Sequence, residues 1–197
     1  FFYVNIGLNA AGITLIPDNP EHPVSEALFN FVAAWGLLFL PVMLTEPKSQ
    51  KVANKGAWFA GLMFLTNVFF IPFLALRAAP EPSSQPQPAA LPYPSWTKPV
   101  AAVGLAVGLF SVWWAVGGRP DAGDLNDRLA YFQATVGSSR VFYAFVVDAC
   151  LYSVWQAAML SQVPTATAAH KYIPFLGLAA HLLSAPARQD SEAEQDR

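Results

Sequence analysis

The sequence predicts an all-α fold: a polytopic membrane bundle of five to six spans, arranged as two three-helix halves. Three observations carry this expectation. Charged residues make up 12% of the chain and aromatics 14%, whereas soluble domains carry roughly 25% charged residues. Apolar runs of near-bilayer length recur along the chain, separated by short polar or proline-rich stretches. The clearest of them, Val141–Leu160 (VFYAFVVDACLYSVWQAAML), holds a single charge, Asp148.

The remaining composition narrows the class. A formal net charge of −2, with no Lys/Arg run of five or more, argues against a nucleic-acid partner. One cysteine, Cys150, excludes an intrachain disulfide and reads as a small apolar side chain. The chain opens on Phe1 and not on Met, so a preceding leader is expected.

The first half comprises residues 1–77. Phe1–Pro17 is apolar and of minimal spanning length; Asn5 and Asn9, one turn apart, suit interhelical hydrogen bonding. Three prolines in residues 17–24 prevent helix continuation. Ser25–Thr45 is the second span, with Glu26 in its first turn, where a carboxylate suits the helix dipole. A turn over 46–55 bearing Lys48, Lys51 and Lys55 leads to the third span, Gly56–Leu76, with Thr66 and Asn67 at mid-depth. Residues 78–98 form a linker. Its Ala78–Trp96 portion has six prolines and no apolar periodicity, so it reads as an extended, exposed connector.

The second half comprises residues 99–184. Pro99–Val116 is the fourth span, with Gly104 and Gly108 at the spacing that lets another helix approach closely. Asp124–Val136 places Leu125, Leu129, Phe132 and Val136 on one face and predicts a short surface helix, resting on the membrane or on a partner. Val141–Leu160 follows as the fifth span. A sixth, interrupted by Pro174, is expected over Thr165–Leu183. Residues 185–197 are a polar tail. The phrase Ile71–Leu76 (IPFLAL) nearly recurs at Ile173–Leu178 (IPFLGL). Read as a repeat, it makes the halves inverted copies. Six spans then group Lys48, Lys51, Lys55, Arg119, Arg128, Arg140, Arg188 and Arg197 against Arg77, Lys98 and Lys171. That asymmetry places both termini on the cytosolic or stromal side.

Asp148 carries the sharpest chemistry. At ~1.5 Å per residue it lies roughly 10 Å into its helix, close to the bilayer midplane. Ala144, Tyr152 and Trp155 share its face, and Gln156 is two turns along and slightly off that face. One reading is a hydrogen-bonded structural group, satisfied by Tyr152, Asn67 or Asn30. The other is a proton or ion site, for which no second intramembrane acid or base is present. Asp148, Tyr152, Asn67, Gly104 and Gly108 are therefore assigned to packing. His22, His170 and His181 show no metal-ligand spacing, and no metal site is expected. His181, the deepest, could be an axial ligand to a chlorophyll magnesium; the plainer reading is a helix-end histidine. No phosphate-binding loop, GxGxxG or HExxH occurs, so no catalytic residue is assigned and no enzyme is expected.

Residues 8–41 (LNAAGITLIPDNPEHPVSEALFNFVAAWGLLFLP), 66–77 (TNVFFIPFLALR) and 140–156 (RVFYAFVVDACLYSVWQ) resemble an uncharacterised multi-span membrane protein family of cyanobacteria and plastids. The Ala/Pro-rich linker looks like that of a green-algal chain. The resemblance implies a thylakoid or plastid inner-envelope location and brings no activity with it. Together with the absence of catalytic motifs, it leads to the expectation of a non-enzymatic subunit or assembly factor of a plastid membrane complex, photosystem-associated or protein-translocon. Its partners would be other integral membrane proteins and lipids, with chlorophyll or carotenoid as the pigments to consider. The alternative is a small transporter or channel component using Asp148.

Overall fold

The computed structural model describes residues 11–13, 22–80 and 90–186. The expected first span, apart from residues 11–13, lies outside the described residues, as do the middle of the linker and the polar tail. Among the described residues the chain is built of helices, with no strand. They are α1 (Pro23–Thr45), α2 (Lys55–Leu65), α3 (Asn67–Ala78), α4 (Thr97–Gly117), α5 (Leu125–Ser138), α6 (Arg140–Leu160), α7 (Ala168–Tyr172) and α8 (Leu176–Ser184). Short 3-10 turns occupy Pro47–Lys51 and Pro120–Ala122.

Three of these helices, α1, α4 and α6, are long and apolar enough to cross a membrane, with 23, 21 and 21 residues. At ~1.5 Å per residue each reaches the ~30 Å of a hydrocarbon core. Five to six spans were expected; the first lies outside the described residues, and the third and sixth are not among these three helices. Neither is a single helix.

The third is a hairpin. Trp58 and Phe69 are eleven positions apart, which would separate them by ~16 Å along one helix, yet their ring centroids lie 6.4 Å apart. The chain reverses at Thr66, whose backbone takes φ 44° and ψ −120°. Gly61 makes the close return possible, because a Cβ there would overlap the Phe69 ring. The sixth folds in the same manner. His170 and His181, also eleven apart, have ring centroids 5.2 Å apart, and a Cβ on Gly177 would sit 2.6 Å from the carbonyl oxygens of Ala169 and His170. Its break follows from Pro174, which lacks an N–H and pushes the preceding residue out of the helical region. Ile173 accordingly takes φ −85° and ψ 107°, and Phe175 turns the chain with φ 59°. The IPFLAL phrase lies inside α3, whereas IPFLGL straddles the turn into α8. The two phrases do not occupy equivalent structural positions.

The chain forms two compact units, residues 1–32 with 106–147, and residues 33–105 with 148–197. Each of α1, α4 and α6 contributes residues to both.

In the first unit, Phe29 meets Phe145 edge-on at 5.2 Å and Phe132 meets Phe142 at 5.4 Å. The predicted surface helix is α5. Asp124 and Asp127 form a reciprocal cap at its start, satisfying two orphan amides, while Leu125 and Leu129 stay exposed. Arg128, on the same helix, is buried. Its guanidinium donates to the carbonyls of Ala115 (3.0 Å), Gly118 (2.6 Å), Arg119 (2.8 Å) and Gly123 (3.2 Å). It thus caps the C-terminal end of α4, where orphan carbonyls and the dipole both favour a cation.

In the second unit, Phe39, Phe70 and Tyr152 pack together at 4.7–5.9 Å. The linker is not wholly exposed, as expected from composition. Leu91 N–H donates to the Thr45 carbonyl at 2.9 Å, and Tyr93 is buried. At Gly104 a Cβ would lie 2.6 Å from Leu38 Cδ2. Gly108, one turn on, is buried too. Gly104→Leu should therefore cost about 1–3 kcal/mol of overpacking. Gly117→Leu, where a Cβ meets only Trp113 of its own helix, should be close to neutral. Thermal unfolding in detergent compares the two; equal shifts would mean that Gly104 makes no special contact.

Candidate functional site

The polar groups of the second unit converge on α6. Asp148, Tyr152 and Gln156 stand at i, i+4 and i+8, so they line one face of that helix, and all three are buried. Each serves a different neighbour.

Asp148 holds the tip of the α2–α3 hairpin. Its Oδ2 accepts from Thr66 Oγ1 at 2.5 Å, and its Oδ1 from Asn67 Nδ2 at 2.6 Å. The other end of the Asn67 amide is also used, its Oδ1 accepting from Trp155 Nε1 at 2.9 Å. Thr66 and Asn67 lie at the N-terminal end of α3, so the carboxylate faces the positive end of that helix dipole. The sequence named Asn67 as a partner and placed Thr66 beside it without pairing it to Asp148. Asn30, the other candidate, instead donates to the Glu26 carbonyl one turn back on its own helix, at 2.7 Å. Tyr152 contributes packing, its ring edge-on to Trp35, Phe39 and Phe70.

The far end of α3 is held as well. Arg77, in its last turn, makes a two-pronged ion pair with the buried Glu46, at 2.6 Å and 3.0 Å, and donates to the Ala158 carbonyl of α6 at 3.2 Å. Asn67 to Arg77 on α3 thus matches Asp148 to Ala158 on α6, ten residues each, so the two helices run parallel. Glu46 also accepts from Ser49 N and Oγ at 2.8 Å and 2.7 Å. A buried charge pair of this kind is tolerable only when its remaining lone pairs are satisfied. Nothing in the spacing of Glu46 and Arg77, 31 residues apart, signals the pairing.

Gln156 holds the α7–α8 turn. Its Nε2 donates to the carbonyls of His170 and Ile173, both at 2.8 Å. Its Oε1 accepts from Phe175 N at 3.1 Å and Trp35 Nε1 at 3.2 Å. One side chain therefore satisfies the backbone freed by Pro174 on both sides of the break. The sequence noted Gln156 only as a neighbour of Asp148.

His181 is buried on α8. Its Nε2 lies 2.9 Å from Tyr93 Oη, so a magnesium at that nitrogen would have to displace the tyrosine. Burial pushes the Tyr93 hydroxyl up to about 12, which keeps it protonated and able to donate. Among the described residues no group of three or more His, Cys, Asp or Glu side chains could hold a metal ion.

The first unit has its own polar cluster. Glu26 accepts from Trp114 Nε1 at 2.8 Å and pairs with Arg119, a partnership beyond the dipole role expected of it. His22 stacks on Tyr131 with centroids 3.7 Å apart. Burial, and then the positive charge of Arg128, hold its pKa below the usual 6.5. Beside these, α1, α4 and Phe132 of α5 wall an apolar cleft of about 180 Å³.

No family model matches this chain, and no curated protein or solved structure shows significant similarity to it.

Proposed function

We propose that this chain is an integral membrane subunit, or assembly factor, of a larger membrane complex, with no catalytic role of its own. The observation that supports this most is the way the buried polar side chains of the second unit are used. Both oxygens of Asp148, both ends of the Asn67 amide and both ends of the Gln156 amide are taken up in holding broken helices. Irregular backbone is tolerated at membrane depth only where protein or water satisfies it, and these side chains supply that satisfaction. Meanwhile α4 leaves Val103, Leu109, Phe110, Val112, Trp113 and Val116 exposed, a surface suited to lipid or to neighbouring helices. A plastid location, with lipids and pigments as companions, rests on the family resemblance.

The second reading is a small transporter or channel component. Transporters build their sites from broken helices whose N-terminal ends face anionic substrate groups, and the N-terminal end of α3 faces an anion of the chain itself, Asp148. Purification in mild detergent separates the two readings when paired with flux in reconstituted vesicles. Stable membrane-protein companions without flux are expected. Proton- or ion-coupled flux from the chain alone would overturn the subunit reading.

This reading also revises the orientation. With α1, α4 and α6 as the crossings among the described residues, the 46–55 turn and the 117–139 connection fall on opposite faces. Lys48, Lys51, Lys55, Arg77, Lys98 and Lys171 then share one face, and Arg119, Arg128 and Arg140 the other. The first is the cytosolic or stromal face by charge asymmetry. Single cysteines at Lys51 and Asp121, in a Cys150→Ser chain, test this in sealed vesicles. An impermeant maleimide should reach only one of them from outside. Labelling of both from one side would restore the six-span arrangement.

A further inference from the structure

The second unit carries cations on its surface and keeps its acids inside. Among its described residues the only acids are Glu46 and Asp148. Both are buried and hydrogen-bonded within the unit. The lysines are not matched in this way. Lys48, Lys55, Lys98 and Lys171 all reach the surface, and among the described residues none of them pairs with an acid. They also lie at one end of the unit. Glu46 holds Arg77 there, Leu91 N–H meets the Thr45 carbonyl, and Tyr93 meets His181 beside His170. These contacts gather the end of α1, the end of α3, the approach to α4 and the α7–α8 hairpin. Lys55 is tied to the same end, since it donates to Gln50 Oε1 at 3.3 Å and Gln50 donates to the Leu44 carbonyl at 2.8 Å.

An independent feature sets the level of these lysines in a bilayer. Trp58 stands about one turn after Lys55, Trp96 just before Lys98, and Tyr172 beside Lys171. Trp96 and Tyr172 are exposed and Trp58 is half-buried. Amphipathic rings of this kind settle at the headgroup level of a membrane. Three separate elements therefore each carry a cation next to an interfacial ring.

We propose that this end of the second unit is a docking surface for anionic lipid headgroups. The proposal rests on the reading of the chain as membrane-embedded. A lysine ammonium is a compact point charge, and no outward acid of the unit competes for it. Acidic lipids supply the missing anion at the right depth, and each lysine near such a surface strengthens binding roughly fivefold.

Thermal unfolding of the full chain in mild detergent, titrated with phosphatidylglycerol, phosphatidylcholine or inorganic phosphate, tests this. Phosphatidylglycerol should raise the unfolding temperature at lower concentration than phosphatidylcholine, and inorganic phosphate should not raise it. Lys48→Gln and Lys98→Gln should each weaken the phosphatidylglycerol effect roughly fivefold. Arg140→Gln, on the other face, should leave it unchanged. An equal response to the two lipids, or an equal response in all three variants, would overturn the docking surface. So would a response to inorganic phosphate, which would make the lysines a soluble-anion site. Carbodiimide joins amines to carboxylates, so in native membranes it should link neither Lys48 nor Lys98 to another protein. Such a link would show that an acidic protein covers this face and would overturn the lipid assignment. A chain that stays folded and dispersed in water without detergent would overturn the membrane reading as well.

Discussion

Gln156→Leu is expected to be the most damaging single substitution in the second unit. It removes four hydrogen bonds at once, those with the indole N–H of Trp35, the amide of Phe175 and the carbonyls of His170 and Ile173; the Ile173 carbonyl keeps the Gly177 amide at 2.9 Å. Each buried polar group left without a partner costs about 1–3 kcal/mol, and Pro174, four residues after His170, has no N–H to offer that carbonyl. The informative companion is Gln156→Glu. Its carboxylate can still accept from Trp35 and Phe175, but it has no N–H for the two carbonyls and adds charge repulsion against them. Thermal unfolding in detergent should therefore rank wild type above Glu, with Leu near or below Glu. Limited proteolysis should open the chain first between Tyr172 and Phe175. A Gln156→Glu chain as stable as wild type would show that the two donated hydrogen bonds contribute nothing.

Asp148→Leu should be the next most severe, and Asp148→Asn should be mild. Leucine leaves Asn67 Nδ2 and the Thr66 hydroxyl without their acceptors, at about 1–3 kcal/mol for each stranded donor. Asparagine can answer both. Its carbonyl oxygen accepts from Asn67, and its amide donates to Thr66 Oγ1, because a hydroxyl serves as donor or acceptor. The charge disappears while the geometry is kept. The subunit reading therefore expects Asp148→Asn to assemble close to normally and Asp148→Leu to lose yield and thermal stability. A proton or ion site would respond differently, with Asp148→Asn abolishing flux in an intact, assembled protein. Measured side by side, yield and flux separate a clamp from a carrier.

These two side chains also mark where reading the sequence stopped. The spans α1, α4 and α6 were legible because a long apolar run with few charges has one low-energy home and one backbone solution there. The surface helix α5 was legible from its one-sided leucines. The hairpins were not. Gly56–Leu76 is apolar throughout its length, and hydropathy reads the same whether such a run goes straight or doubles back. Its one local hint was Thr66-Asn67, two adjacent polar residues able to bond away from the helix. In the other hairpin the hint was Pro174.

By itself, then, the sequence determined an all-helical chain with apolar runs of membrane length, read as five to six spans, and a lone acid deep in one of them. Only the tertiary structure decided what that acid and its neighbours do. Asp148 meets Thr66 across 82 positions, and Glu46 meets Arg77 across 31. Hydrogen-bond partners that distant leave no periodic trace in either helix. The choice between a straight span and a hairpin was made by those partners, because broken backbone needs donors and acceptors from another element.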